Sequence, residues 1–148
     1  MKTSSVRPFV APAFFVSLIA LAIWHAEGIR GFTPFCELGS VVVVPLGILA
    51  IVGARYRVLD LFKALWHSTE MPEPDEAAKS AEILKFAASA AISSGMILSL
   101  IGAILVLANI QDPSSVPRNM AVVLVSLLYG FFLSEFALSP MSRKLLAH

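Results

Sequence analysis

Long apolar runs separated by short polar turns fill most of this chain, and their lengths suit helices better than strands. Four stretches, 8–26, 38–54, 84–110 and 119–140, are almost free of charge. Each approaches the about twenty residues that a helix needs to cross the hydrocarbon of a bilayer. Alternation of apolar and polar positions with a period of two is missing, so a membrane barrel is excluded. Helices then remain as the way to satisfy backbone polar groups in lipid. The pattern predicts an all-α integral membrane protein with a four-helix protomer.

Within the last two spans the small and hydroxylated residues fall into stripes. Ala91, Gly95, Ser99 and Ala103 recur every fourth position, as do Val122, Ser126, Gly130 and Ser134. Each helix thereby carries one face on which another backbone can approach closely, which lipid alone does not call for. Ser99 and Ser126 fall near mid-depth, where a hydroxyl either bonds a carbonyl of its own helix or faces a polar pathway. Both readings stay open. Glu135 is the one carboxylate inside a span, and such a group is expected against protein or a wet cavity. It fits a paired or snorkelling carboxylate as well as an ion exit.

The connecting segments have their own signatures. Gly28, Gly31 and Pro34 mark a turn over 27–37, which makes the first two spans a hairpin, and Pro45 is expected to loosen the second span. Residues 55–83 form a short amphipathic helix and linker. Val58, Leu61, Phe62, Leu65 and Trp66 share one face, with Arg57, Asp60, Lys63 and His67 on the remainder. This segment reads equally as an interfacial helix or as an extension packed on the bundle. Pro74 can open the next helix, with Asp75 and Glu76 at its positive end. A second turn follows at 111–117.

Composition sharpens this picture. Of 148 residues, 57% are apolar and 14% charged, against roughly 45–50% apolar in soluble domains; the mean hydropathy is +0.82. Lys2 and Arg7 before the first span resemble a signal-peptide start, but the span is long for one and Trp24-His25-Ala26 is a poor cleavage site, so it is expected to stay. With both termini cytoplasmic, Lys2, Arg7, Arg55, Arg57, Lys63, Lys79, Lys85, Arg143 and Lys144 lie inside, and only Arg30 and Arg118 outside. The net charge of +1 offers nucleic acid no basic patch. Cys36 is the single cysteine, and His25, His67 and His148 are too scattered to bind a metal. No base lies near an in-span serine, so an enzyme is not expected and no cofactor is called for.

The residues from Gly95-Met-Ile-Leu-Ser-Leu-Ile-Gly102 through Leu107-Ala-Asn-Ile-Gln-Asp-Pro-Ser-Ser115, Met120-Ala-Val122, Leu128-Tyr-Gly130 and Pro140 resemble the third and fourth membrane helices of the MotA/TolQ/ExbB ion-channel family. The MotA branch is the best match, with wording such as GMIGTVIG, a loop like NLDDPS, then MAVALLTTLYG and a later proline. A weaker echo runs through Phe35, Glu37, Ser40 and Gly47.

The resemblance implies a stator-type subunit of a bacterial inner membrane. It implies a homopentameric ring around a dimeric, single-span partner like MotB, TolR or ExbD, whose aspartate carries a transported proton or sodium ion. By position, Ser99 and Ser126 take the places of threonines lining the inner ring face, and Tyr129, Gly130 and Pro140 match outright. Leu127 replaces a threonine of the ion path and Ile92 a proline. Ser99, Ser126, Leu127 and Glu135 are therefore the candidate pathway residues, with Gly95, Gly102, Tyr129, Gly130 and Pro140 in helix packing. Flagellar relatives carry a large cytoplasmic domain where only 55–85 stands here. The alternative is a structural or assembly protein that keeps the ring scaffold and conducts nothing.

Overall fold

The computed structural model describes residues 13–14, 16–18, 20–21, 24–25, 38–69, 72–112 and 114–147. Those up to 25 are helical. Most of the first expected span, the turn over 27–37, Cys36 and His148 lie outside the described residues, as do both termini.

Five α-helices and one π segment follow: α1 (Leu38–Gly53), α2 (Val58–His67), α3 (Pro74–Ala108), α4 (Ser115–Phe132), the π segment Leu133–Leu138, and α5 (Ser139–Leu146). There is no strand among the described residues. Pro74–Ala108 and the continuous run Ser115–Leu146 are each long and apolar enough to cross a membrane. The chain is a membrane protein. With 16 residues, α1 is shorter, about 24 Å against a hydrocarbon core of about 30 Å. It then turns through 106° into α2.

Helix α3 is the hub, against which α1, α2, α4, the π segment and α5 all pack. Its sequence explains why. Ala77, Ala81, Leu84, Ala87, Ala88 and Ala91 are buried at spacings of three and four, and the small side chains leave room for neighbours on several sides. Pro74 sits in the first turn, where its missing amide hydrogen has no partner to lose, and Asp75 and Glu76 follow at the positive helix end.

Lipid tails are as apolar as leucine, so helix association here depends on packing and on hydrogen bonds between helices. Buried serines supply those bonds. The Ser94 hydroxyl of α3 donates to the Val44 carbonyl of α1 at 3.1 Å, next to Pro45. A methyl group added at Gly47 would run into that same hydroxyl, so the glycine is what lets α1 and α3 meet there. The Ser142 hydroxyl of α5 donates to the Ala81 carbonyl of α3 at 3.0 Å.

The bend after α1 is held by side chains. The Tyr56 hydroxyl donates to Glu82 at 2.8 Å, and its ring meets Phe86 edge-on at 5.6 Å. The Arg55 guanidinium lies 5.1 Å from the Phe86 ring centre and 3.8 Å from the Glu82 carboxylate. Donation to Glu82 pushes the Tyr56 phenol above its ordinary range. The far end of α2 is tied by His67 Nδ1 to the Ser80 hydroxyl at 3.0 Å, and by Lys144 Nζ, which donates to the Ser68 carbonyl at 2.7 Å.

At the opposite end of the bundle Asp112 organises the turn into α4. Its carboxylate accepts from the Ser114 hydroxyl at 2.7 Å and the Ser114 amide at 3.0 Å. These bonds favour the ionised form and hold the carboxyl below its ordinary range. A lowered carboxyl stabilises the turn above the usual carboxylate range and loses that contribution as pH falls through the lowered value. Asp112→Ala at neutral pH is therefore expected to lower the amide protection factors of Ser114 and Ser115, measured against the intrinsic exchange rate at each pH, as acidification through the lowered value should in the parent. Unchanged protection in both would remove Asp112 from this role.

Candidate functional site

Helices α3 and α4, with the continuation of α4 through the π segment into α5, carry every candidate residue, and glycines set the geometry of this hairpin. A Cβ placed on Gly95 would stand 2.8 Å from the Ser126 carbonyl oxygen and 2.9 Å from the Gly130 Cα. One placed on Gly130 would stand 2.8 Å from the Ala91 carbonyl oxygen. Gly102 repeats the contact against Val123 near the other end of the hairpin. The backbones therefore touch along the two stripes.

Ser99 follows Gly95 on the same stripe, one turn before Gly102 and at the depth of Ser126. It is half-buried, and its hydroxyl has no hydrogen-bond partner among the described residues. Ser126 does not join it there. It is fully buried inside the protomer, where its hydroxyl donates to the Val122 carbonyl at 2.6 Å and pairs with the Ser40 hydroxyl of α1 at 3.0 Å.

Ser126 therefore does not share an open face with Ser99 on the protomer. A residue with no exposed surface bridges α4 to α1 instead. The reason is geometric: α1 packs into the angle between α3 and α4, and one face of α4 has to serve both neighbours. Ser40 was legible only as a weak echo of the family's second helix, and Ser94 and Ser142 gave no sign beyond being apolar-run serines.

Leu127, the next residue along α4, is half-buried, and Tyr129 packs on the edge of the core. Glu135 is exposed on the protomer and has no ion-pair partner among the described residues. It stands inside the π segment Leu133–Leu138. Buried Pro140 explains that local geometry. Its ring cannot donate a hydrogen bond and crowds the carbonyl four residues back, at Phe136. One extra residue per turn widens the helix there without ending it, and π turns of this kind recur at functional sites. A proline within a span that continues past it was the available signal. Between them, Ser99, Leu127 and Glu135 offer a hydroxyl, an apolar side chain and a carboxylate at accessible positions on one hairpin.

No family model matches the chain. Among curated proteins, an uncharacterised protein of Bacillus subtilis, YtxD, is 36% identical over 67 residues, 45% of this chain and 25% of that protein. The Motility protein A of Cereibacter sphaeroides and the Chemotaxis protein PomA of Vibrio alginolyticus are each 41% identical over 51 residues, 34% of this chain and 20% of theirs. The match thus spans a quarter or less of these relatives' length. Over about a third of its own length, the chain is related to the motility protein A family.

Proposed function

We propose that this protein is a stator-type ion-channel subunit, one of several copies in a ring around the single-span helices of a partner that carries the ion-binding aspartate. The observation that carries this reading is the pair of tightly apposed helices built on Gly95 and Gly130, and the likeness to motility protein A over about a third of the chain supports it. No Asp or Glu stands at mid-depth of α3 or α4, so a conducted ion needs a carboxylate from another chain. Exposed Glu135 suits the end of such a path, and the half-exposed Ser99 hydroxyl suits its middle.

In this reading the ion is a proton or sodium, the ring is a pentamer, both termini are cytoplasmic and the membrane is a bacterial inner membrane. The driven machine differs from a flagellar rotor gripped through a large cytoplasmic domain, because only 54–73 separates α1 from α3.

Purification from native membranes, with native mass measurement of the complex and identification of copurifying chains, tests the proposal. A ring of several copies holding a smaller number of single-span chains with an in-span aspartate is expected. A monomer without such a chain would overturn it. A ring of this chain alone that passes no ions in vesicles would favour the non-conducting scaffold, to which the apolar Leu127 also lends weight.

A further inference from the structure

Helix α2 has three distinct faces. Leu61, Ala64 and Ser68 are buried against the bundle, and Asp60, Lys63 and His67 line a polar cleft with Glu76, Lys79 and Ser80 of α3. The third face leaves Leu59 70%, Phe62 57% and Trp66 64% exposed, at positions that share one side of a helix. The sequence could not choose between an interfacial and a packed helix. The structure gives α2 both a packed face and an uncovered apolar one.

The level at which α2 lies says what covers that face. Its entry is pinned to Glu82 and Phe86 by Tyr56, and its exit to Ser80 by His67. These anchor points span about 9 Å of rise along α3, whereas the 10 residues of α2 extend about 15 Å. Together with the 106° turn from α1, this sets helix α2 across the spans and not along them. The same stretch of α3 is where its charges end: Asp75, Glu76 and Lys79 precede it, Glu82 and Lys85 lie within it, and none follows from 86 to 108. This is the level at which hydrocarbon gives way to water. The polar face of α2 meets the charged first turns of α3, on the watery side, and the Leu59–Phe62–Trp66 face is turned away from them.

We infer that α2 is a membrane-surface anchor, with Leu59, Phe62 and Trp66 seated at the boundary between headgroups and acyl chains. Tryptophan is favoured at that depth, where its apolar ring and its N–H are both accommodated. Arg57 and Lys63 flank the face, where headgroup phosphates are the matching groups. The inference depends on the chain being a membrane protein and not on ion conduction.

The chain holds two tryptophans, and Trp24→Phe leaves Trp66 as the single reporter. The full-length variant, reconstituted into vesicles of phosphatidylcholine and phosphatidylglycerol, is compared in lipids brominated near the headgroup or deep in the tails. Strong loss of Trp66 emission to shallow bromines, weaker loss to deep ones and little to acrylamide is the expected result. Quenching by acrylamide alone would place the face in water and overturn the inference. Quenching by neither would mean that protein covers the face, a second copy or a partner chain, and would equally overturn it. If Trp24→Phe fails to fold, the difference between the parent and Trp66→Phe reads the same quantity.

Discussion

Replacing Gly95 by valine is expected to force α3 and α4 apart and, in the ring proposed above, to abolish assembly. The first added carbon already lies within 3 Å of two backbone atoms of α4, and backbone cannot rotate aside as a side chain does. Overpacking of this kind costs about 1–3 kcal/mol, and occasionally more when no flexible neighbour can yield. In a bilayer the loss is not recovered by hydrophobic burial elsewhere, because the separated helix surfaces simply meet lipid. Gly130→Val should behave alike, since its new carbon meets the Ala91 carbonyl oxygen and Gly95 itself. Gly53→Ala is the control: its added carbon meets only a Val58 methyl group at 3.4 Å. Thermal unfolding in detergent together with native mass measures both effects. A Gly95→Val protein as stable and as oligomeric as Gly53→Ala would refute the close approach.

The second large effect separates two serines that look alike in sequence. Ser126→Ala removes the bridge to Ser40 inside the protomer, and a double-mutant cycle with Ser40→Ala should return a coupling near the average of about 0.6 kcal/mol met for hydrogen bonds between membrane helices, whose maximum is about 1.7 kcal/mol. It should leave ion flux through a reconstituted complex unchanged. Ser99→Ala is expected to do the reverse. Its hydroxyl makes no bond among the described residues, so stability is unaffected. In the proposed channel, loss of a hydroxyl worth about 0.5–1.5 kcal/mol to a passing ion slows flux roughly two- to tenfold. Flux lost in Ser126→Ala and retained in Ser99→Ala would reverse the assignment of the two residues.

The contrast between those serines marks how far the sequence could be read. The stripes on α3 and α4 were visible because a period of four on a helix places residues on one face without knowledge of anything else, and Gly95 and Gly130 do meet. The partner of Ser126 was not visible. A stripe tells which side of a helix is narrow, and it does not tell which of two neighbours will occupy it. Glu135 was recognised as an unusual carboxylate, but the π turn around it depends on Pro140 being retained inside a helix held by the contacts of Ser142 and Lys144 beyond it.

Sequence by itself determined that the chain is helical and enters a membrane, because charge-free runs of bilayer length permit little else. It also determined which helix faces are small enough to touch. Only the tertiary structure decided that α3 is the hub, that Ser126 looks inward to Ser40 while Ser99 stays open, and that α2 lies across the spans with Leu59, Phe62 and Trp66 uncovered. Periodicity fixes directions around one helix axis. Which neighbour lies in each direction, and at what depth, is settled by how several helices share the same space.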